Sequence, residues 1–161
     1  WDEIALEVSR EFPHVTWDKE LVDAATARMV TRPASLDTIV ATNLHADILS
    51  DLAAALAGSL GIAPTANLDP ERRYPSMFEP IHGSAFDIMG KGLANPVGTF
   101  WSVVMLLEHL GEAKAAHTVM AAIERVTANS ALHTRDLGGT ATTEQVTQAV
   151  CTHIVRSVEA A

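Results

Sequence analysis

The chain has 161 residues, of which 48% are hydrophobic and 19% charged, with a net charge of -9. That is enough for one domain with a real core or for pieces of two, and the composition is that of a globular chain rather than a disordered one. The acidic balance argues against nucleic acid or an anionic membrane surface as partner, since phosphate binding needs surplus Lys and Arg. No apolar run reaches the roughly 18 residues of a membrane-spanning helix.

In chain order, "WDEIALEVSREF" is in helical register, with Ile4, Val8 and Phe12 on one face, and Pro13 ends it. The chain opens on Trp1 without a signal-peptide pattern, as the middle of a gene product would. "HVTW" is a short strand candidate, and Asp18 is placed to cap a helix running to about Val30. "LDTIVAT" reads as a strand of the buried type, and Asn43 caps a helix from about Leu44 to Ala57. Alternation of strand and helix predicts an α/β fold. After Gly58 the texture changes: the next thirty residues hold four of the seven prolines, Pro64, Pro70, Pro75 and Pro80, and read as functional loop with short strand-like runs. Helices are predicted over about 98–110 and 112–128. Thr142 and Gln145 form a capping-box signature for a last helix. Within that helix Cys151, the single cysteine, sits in an apolar pattern and is predicted to pack as a small hydrophobe; it excludes an internal disulfide. A reducing cytoplasm fits this usage.

Two stretches carry candidate chemistry. In "NLHADILSDL", Asp47 and Asp51 fall one helical turn apart, opposite an apolar stripe of Ile48, Leu49, Leu52 and Leu56. Like charges at that spacing cost roughly 0.2–0.5 kcal/mol. No Lys or Arg occurs between Arg32 and Arg72 to neutralise them. Solvation of an ordinary acidic face is the plain explanation; a bound Mg²⁺ or Mn²⁺, which prefers oxygen ligands, is the functional one. Asp23 lies on a helix apolar on both sides, a pattern normally buried, including against a second subunit; spacing alone does not link it to the pair. The second stretch, "FEPIHGSAFDIMGKGLANP", sets Glu79, His82, Ser84, Asp87, Lys91 and Asn95 among turn-forming glycines and prolines. Gly83 permits close approach of a ligand to the backbone, Asp87 suits the hydroxyls of a ribose, and the Asn95 amide suits an adenine edge. His82 is equally a ligand or a loop histidine bonded to backbone. Neither a G-x-G-x-x-G fingerprint nor a Walker A loop is present, and "HGSAF" is a poor match to a nucleophile elbow.

These stretches, with "LGGTATTEQVTQAV", closely resemble the metal-dependent β-decarboxylating dehydrogenases of 2-hydroxy acids, the isocitrate and isopropylmalate dehydrogenases among them. The "DPERRYPSMFEP" insert and the "HADILSD" spelling are similar to the tartrate dehydrogenase/decarboxylase branch, with D-malate dehydrogenase as near kin. The resemblance implies the C-terminal portion of a two-domain α/β fold with a mixed sheet flanked by helices. Residues 1–57 would belong to the smaller dimer-interface domain and 58–161 to the larger cofactor-binding domain. It implies Asp47 and Asp51 as ligands of Mn²⁺ or Mg²⁺, with Asp23 reaching the site across a homodimer. It implies Glu79, His82, Gly83, Ser84, Ala85, Asp87 and Asn95 as cofactor-binding, with NAD preferred because Asp87 stands where NADP-preferring relatives carry Lys, and Asp136 near the adenine. Tartrate or D-malate is the implied substrate. The sequence departs from the family pattern at "HAD", in place of the commoner Phe-Gly-Asp, and at Phe86, in place of Pro. The family's catalytic lysine and tyrosine have no counterpart here, so the chain by itself is expected to be inactive.

Overall fold

The computed structural model describes residues 1–159 of the chain. It divides into two compact units, Trp1–Leu49 and Ser50–Ala161.

The first unit carries α1 (Asp2–Ser9) and α2 (Val22–Thr31), a short 3-10 turn at Pro33–Ser35, and the first half of α3 (Asn43–Leu56). Helix α1 is shorter than the apolar spacing predicts, and none of its residues is buried. Asp18 does not cap α2. The helix begins at Val22 with Leu21 as its uncapped boundary, and Asp18 instead takes a hydrogen bond from the Arg28 guanidinium at 3.1 Å. The same guanidinium reaches Glu20 at 3.1 Å, and Ser35 through Oγ at 2.9 Å and the carbonyl at 2.7 Å. One arginine thus ties the segments on both sides of α2, and four acceptors match the fork of donors that only Arg offers. Ala25 and Met29 turn inward and are buried, while Val30 of the same helix and Leu21 just before it are exposed.

Two predicted strands of this unit do not form. Residues 14 and 15 are turn and bend, 16 and 17 are irregular, and 36–42 run irregularly with Ile39 and Val40 exposed. β-branched residues favour extended backbone, but a strand is stabilised by a ladder partner, and among the described residues none lies beside either segment.

The second unit has the core. Helices α4 (Val97–His109), α5 (Ala113–Thr127) and α6 (Thr143–Glu159) pack in sequence order around Val97, Val104, Ala116, Ala122, Ile123, Val126, Val146 and Val150, closed by Ala141 from the turn before α6. The two strands of the described residues, β1 (Pro64–Asn67) and β2 (Met77–Pro80), form an antiparallel hairpin with Thr65 opposite Glu79 and Ala66 opposite Phe78. The hairpin lies on α4. Gly98 makes that approach possible: a Cβ there would sit 3.0 Å from the Gly61 carbonyl oxygen and 3.1 Å from that of Ala63. The chain is therefore mostly helical with a small two-stranded sheet, less sheet than the alternation of elements predicts.

The capping box forms as the sequence indicates. The Thr142 backbone N–H donates to Gln145 Oε1 at 2.8 Å, and the Gln145 N–H donates to Thr142 Oγ1 at 3.2 Å. Cys151 does not pack inward. It lies on the exposed side of α6, next to the fully buried Val150, because the helix buries only the stripe led by Val146 and Val150. Among the described residues, no helix is long and apolar enough to cross a membrane.

Candidate functional site

Helix α3 is continuous from Asn43 to Leu56, so Asp47 and Asp51 stand one turn apart on it, and both are exposed. On the apolar stripe Leu49 is buried and Leu52 half-buried, but Ile48 and Leu56 remain exposed. Asp23 lies in the first turn of α2, where its Oδ1 accepts the N–H of Ala24 at 2.9 Å. A carboxylate in that position is favoured by the helix dipole, so Asp23 has a local structural explanation alongside the proposed one. Among the described residues no three acidic, histidine or cysteine side chains gather in a group that could hold a metal. Asp47 and Asp51 offer only oxygen donors, which fits a hard cation in part and leaves positions for ligands from elsewhere.

The second stretch leaves β2 at Pro80 and runs to the start of α4. Glu79 is exposed on β2, opposite Thr65. His82 is half-buried, and its Nδ1–H donates to the Gly83 carbonyl at 3.0 Å, the backbone-bonded arrangement. Gly83, Ser84, Ala85 and Asp87 are exposed. No atom lies within 4 Å of a Cβ placed on Gly83, so its backbone faces open space. Ala85 has φ of 42°, a left-handed conformation uncommon for a residue with a Cβ. Strain of this kind persists only where surroundings hold it. Here the Ile88 N–H closes a turn onto the Ala85 carbonyl at 3.0 Å, and Lys91 Nζ donates to the Asp87 carbonyl at 2.7 Å. Helix α6 anchors the far end of the stretch: the Thr143 N–H donates to the Gly92 carbonyl at 2.9 Å and its hydroxyl to the Ala94 carbonyl at 2.5 Å.

Asn95 is only 7% exposed and belongs to a polar network that the sequence reading did not find. Its Nδ2–H donates to Asp136 Oδ2 at 2.9 Å, and its Oδ1 accepts the Val97 N–H at 3.0 Å, at the start of α4. Asp136 Oδ2 also accepts the Ser59 hydroxyl at 2.5 Å, and Oδ1 accepts the Thr134 hydroxyl at 2.5 Å. Partial burial works to raise the Asp136 pKa, but the donors Ser59, Thr134 and Asn95 outweigh it, and the carboxyl is held below its ordinary value. Gly61 closes the network: its N–H donates to Ser59 Oγ at 2.8 Å, and a Cβ there would come within 2.9 Å of both Asn95 Cβ and Asp136 Oδ2. Ser59 and Thr134 are buried. The members come from the 3-10 turns at Leu60–Ile62 and Arg135–Leu137 and from the approach to α4.

A family profile described as isocitrate/isopropylmalate dehydrogenase matches residues 1–150. The chain is 73% identical over 157 residues to a probable tartrate dehydrogenase/decarboxylase of Agrobacterium vitis, a match covering 98% of this chain and 44% of that protein. It is 47% identical to the decarboxylating D-malate dehydrogenase of Escherichia coli, over 97% of this chain and 44% of that one. Among solved structures, an isocitrate dehydrogenase from Methylococcus capsulatus superposes with a TM-score of 0.88 at 39% identity, covering 94% of this chain and 44% of its own. The chain thus spans less than half the length of the relatives it matches.

Proposed function

Since the chain belongs to the isocitrate/isopropylmalate dehydrogenase family, we propose that it is the C-terminal part of an NAD- and divalent-metal-dependent oxidoreductase acting on tartrate or D-malate. The observation that carries this reading is high identity, spread along nearly the whole chain, to a relative named for tartrate oxidation and decarboxylation. In the parent enzyme the hairpin would join a larger mixed sheet flanked by helices. Residues 1–57 would lie in the smaller dimer-interface domain and 58–161 in the cofactor-binding domain. The single exposed thiol fits a reducing cytoplasm.

Asp47 and Asp51 would hold Mn²⁺ or Mg²⁺, and Asp23 of the partner subunit in a homodimer would add the third carboxylate. Their exposure on one turn of α3 supports this, because a hard cation takes carboxylate oxygens and keeps positions open for substrate. Glu79, His82, Gly83, Ser84, Ala85, Asp87 and Asn95 would line the NAD site. The open backbone at Gly83 admits a ligand, the exposed Asp87 carboxylate can accept both hydroxyls of a ribose, and the Asn95 amide can face the adenine. When bound, the cation supplies Lewis acidity at the substrate oxygens and the dinucleotide takes the hydride. In this reading the residues of this chain bind and orient, and the resemblance gives the family's catalytic lysine and tyrosine no counterpart among them.

A second reading is a catalytically inactive fragment that dimerises and binds metal. It is favoured by the apolar side chains that the first unit leaves uncovered, including Trp1 at 72% and Val40 at 81% exposure. One assay separates the two. The natural gene product, given tartrate or D-malate with NAD⁺ and Mn²⁺, should form NADH. A natural product limited to these residues and inert with both acids would leave the fragment reading alone.

A further inference from the structure

We infer that Thr143 is a positioning residue for the candidate cofactor loop: from the first turn of α6 it holds the far end of residues 83–94 in the shape that receives the dinucleotide. This rests on the NAD reading above and adds a residue that would act on cofactor binding without touching the cofactor.

The stretch from Gly83 to Ala94 has little to hold it in place. Its residues are exposed apart from Ile88 and Leu93. A Cβ placed on Gly83, Gly90 or Gly92 would meet nothing within 4 Å. Within the stretch, the Ile88 N–H donates to the Ala85 carbonyl at 3.0 Å, the Lys91 N–H to the Ile88 carbonyl at 3.1 Å and Lys91 Nζ to the Asp87 carbonyl at 2.7 Å. Such turns fix local shape but not where the loop lies on the protein. The entering end is fixed through β2, where the Ile81 N–H donates to the Ala63 carbonyl at 3.0 Å. At the leaving end, among the described residues, the hydrogen bonds that 83–94 makes to another element are both to Thr143. Thr143 is the first residue of α6, and an N–H in the first helical turn has no carbonyl to meet inside the helix. The Gly92 carbonyl accepts it at 2.9 Å, and the Ala94 carbonyl accepts the Thr143 hydroxyl at 2.5 Å. Helix α6 is seated in the core by Val146 and Val150, so the loop is tied to an element that does not move with it. A loop already restrained loses less conformational freedom when a ligand orders it, and that difference appears in affinity. Once the dinucleotide is bound the loop has the same shape with or without the tether, so the step after binding is spared.

Thr143→Val in the parent enzyme keeps the N–H and the branched Cβ and removes only the hydroxyl. With no cofactor present, amide hydrogen exchange across 83–94 should speed up several-fold. The Kd for NADH, followed by its fluorescence, should rise about fivefold, the scale of one hydrogen bond. The KM for NAD⁺ should rise with it, while kcat at saturating NAD⁺ stays unchanged. Thr143→Ser restores a hydroxyl and should restore both exchange and affinity. Thr152→Val is the control: that hydroxyl donates to the Gln148 carbonyl at 2.8 Å within the same helix, and its loss should change neither. If Thr143→Val does not fold, Thr143→Ala removes the same hydroxyl and should give the same shifts. Unchanged NADH affinity in the folded Thr143 variant, with or without faster exchange, would overturn the inference. So would an equal loss of affinity in Thr143→Ser or Thr152→Val, which would make the effect one of general stability. A wild type that binds no NADH would overturn the cofactor reading, and the inference with it.

Discussion

Asp87 is exposed on the loop between β2 and α4, and its carboxylate is the group proposed to select a free ribose over a phosphorylated one. Asp87→Lys in the parent enzyme should raise the KM for NAD⁺ about tenfold, as expected for losing charge-assisted hydrogen bonds, and lower that for NADP⁺. An unchanged KM for NAD⁺ would remove Asp87 from the ribose site. Asp87 and His82 could be named as candidates because they fall in one contiguous run whose chemistry can be read from neighbours. Ser59 and Thr134 were not. Ser59 meets Asp136 across 77 positions and Asn95 meets it across 41, and no local pattern announces such contacts. Two weak signals were available: Gly61 and Gly139 sit where a side chain would collide. A Cβ on Gly139 would fall 2.0 Å from the His133 carbonyl oxygen, so the turn that brings Thr134 and Asp136 into the network requires glycine.

At the scale of elements, helices were read well where their ends carry their own chemistry. The box at the start of α6 is the clearest case, formed by Thr142 and Gln145 as their spacing requires. Thr142→Ala should destabilise that end by about 1 kcal/mol. The readout is amide hydrogen exchange, which should speed up several-fold over the first turn of α6 and stay unchanged in α5. Unaltered exchange in that turn would show that the Thr143 contacts with Gly92 and Ala94 hold it alone. Strands were read less well, and the reason is physical. A helix satisfies its backbone from within, whereas a strand depends on a neighbour. "HVTW" and "LDTIVAT" have strand-forming residues but no partner among the described ones. The short strand-like runs of the Pro-rich stretch did pair, as β1 and β2. The connection between them is organised by Asp69, whose carboxylate accepts N–H groups from Glu71, Arg73 and Tyr74. Arg72 then donates to the His109 carbonyl at the end of α4, where a cation is favoured by the helix dipole.

For the molecule as a whole, the two units differ in how much they bury. The second closes a core around α4, α5 and α6. In the first, the buried apolar side chains are Ala25, Met29 and Leu49, while Ile4, Phe12, Trp17 and Ile39 are exposed. Such surface is the kind that a larger assembly covers, which agrees with a chain that matches less than half the length of its relatives. A third ligand from a second subunit, as proposed, would leave no mark in spacing along one chain, so spacing alone offers only the pair Asp47 and Asp51. Asp47 and Asp51 are proposed to hold the cation on which oxidation depends. The direct test is Mn²⁺ binding, followed by electron paramagnetic resonance, and Mn²⁺-dependent NADH formation in the parent enzyme and in Asp47→Asn with Asp51→Asn. Wild type should bind Mn²⁺ and need it for turnover, and the double variant should lose both while keeping its helical circular dichroism. Unchanged Mn²⁺ affinity and unchanged Mn²⁺ dependence in the folded double variant would contradict the claim.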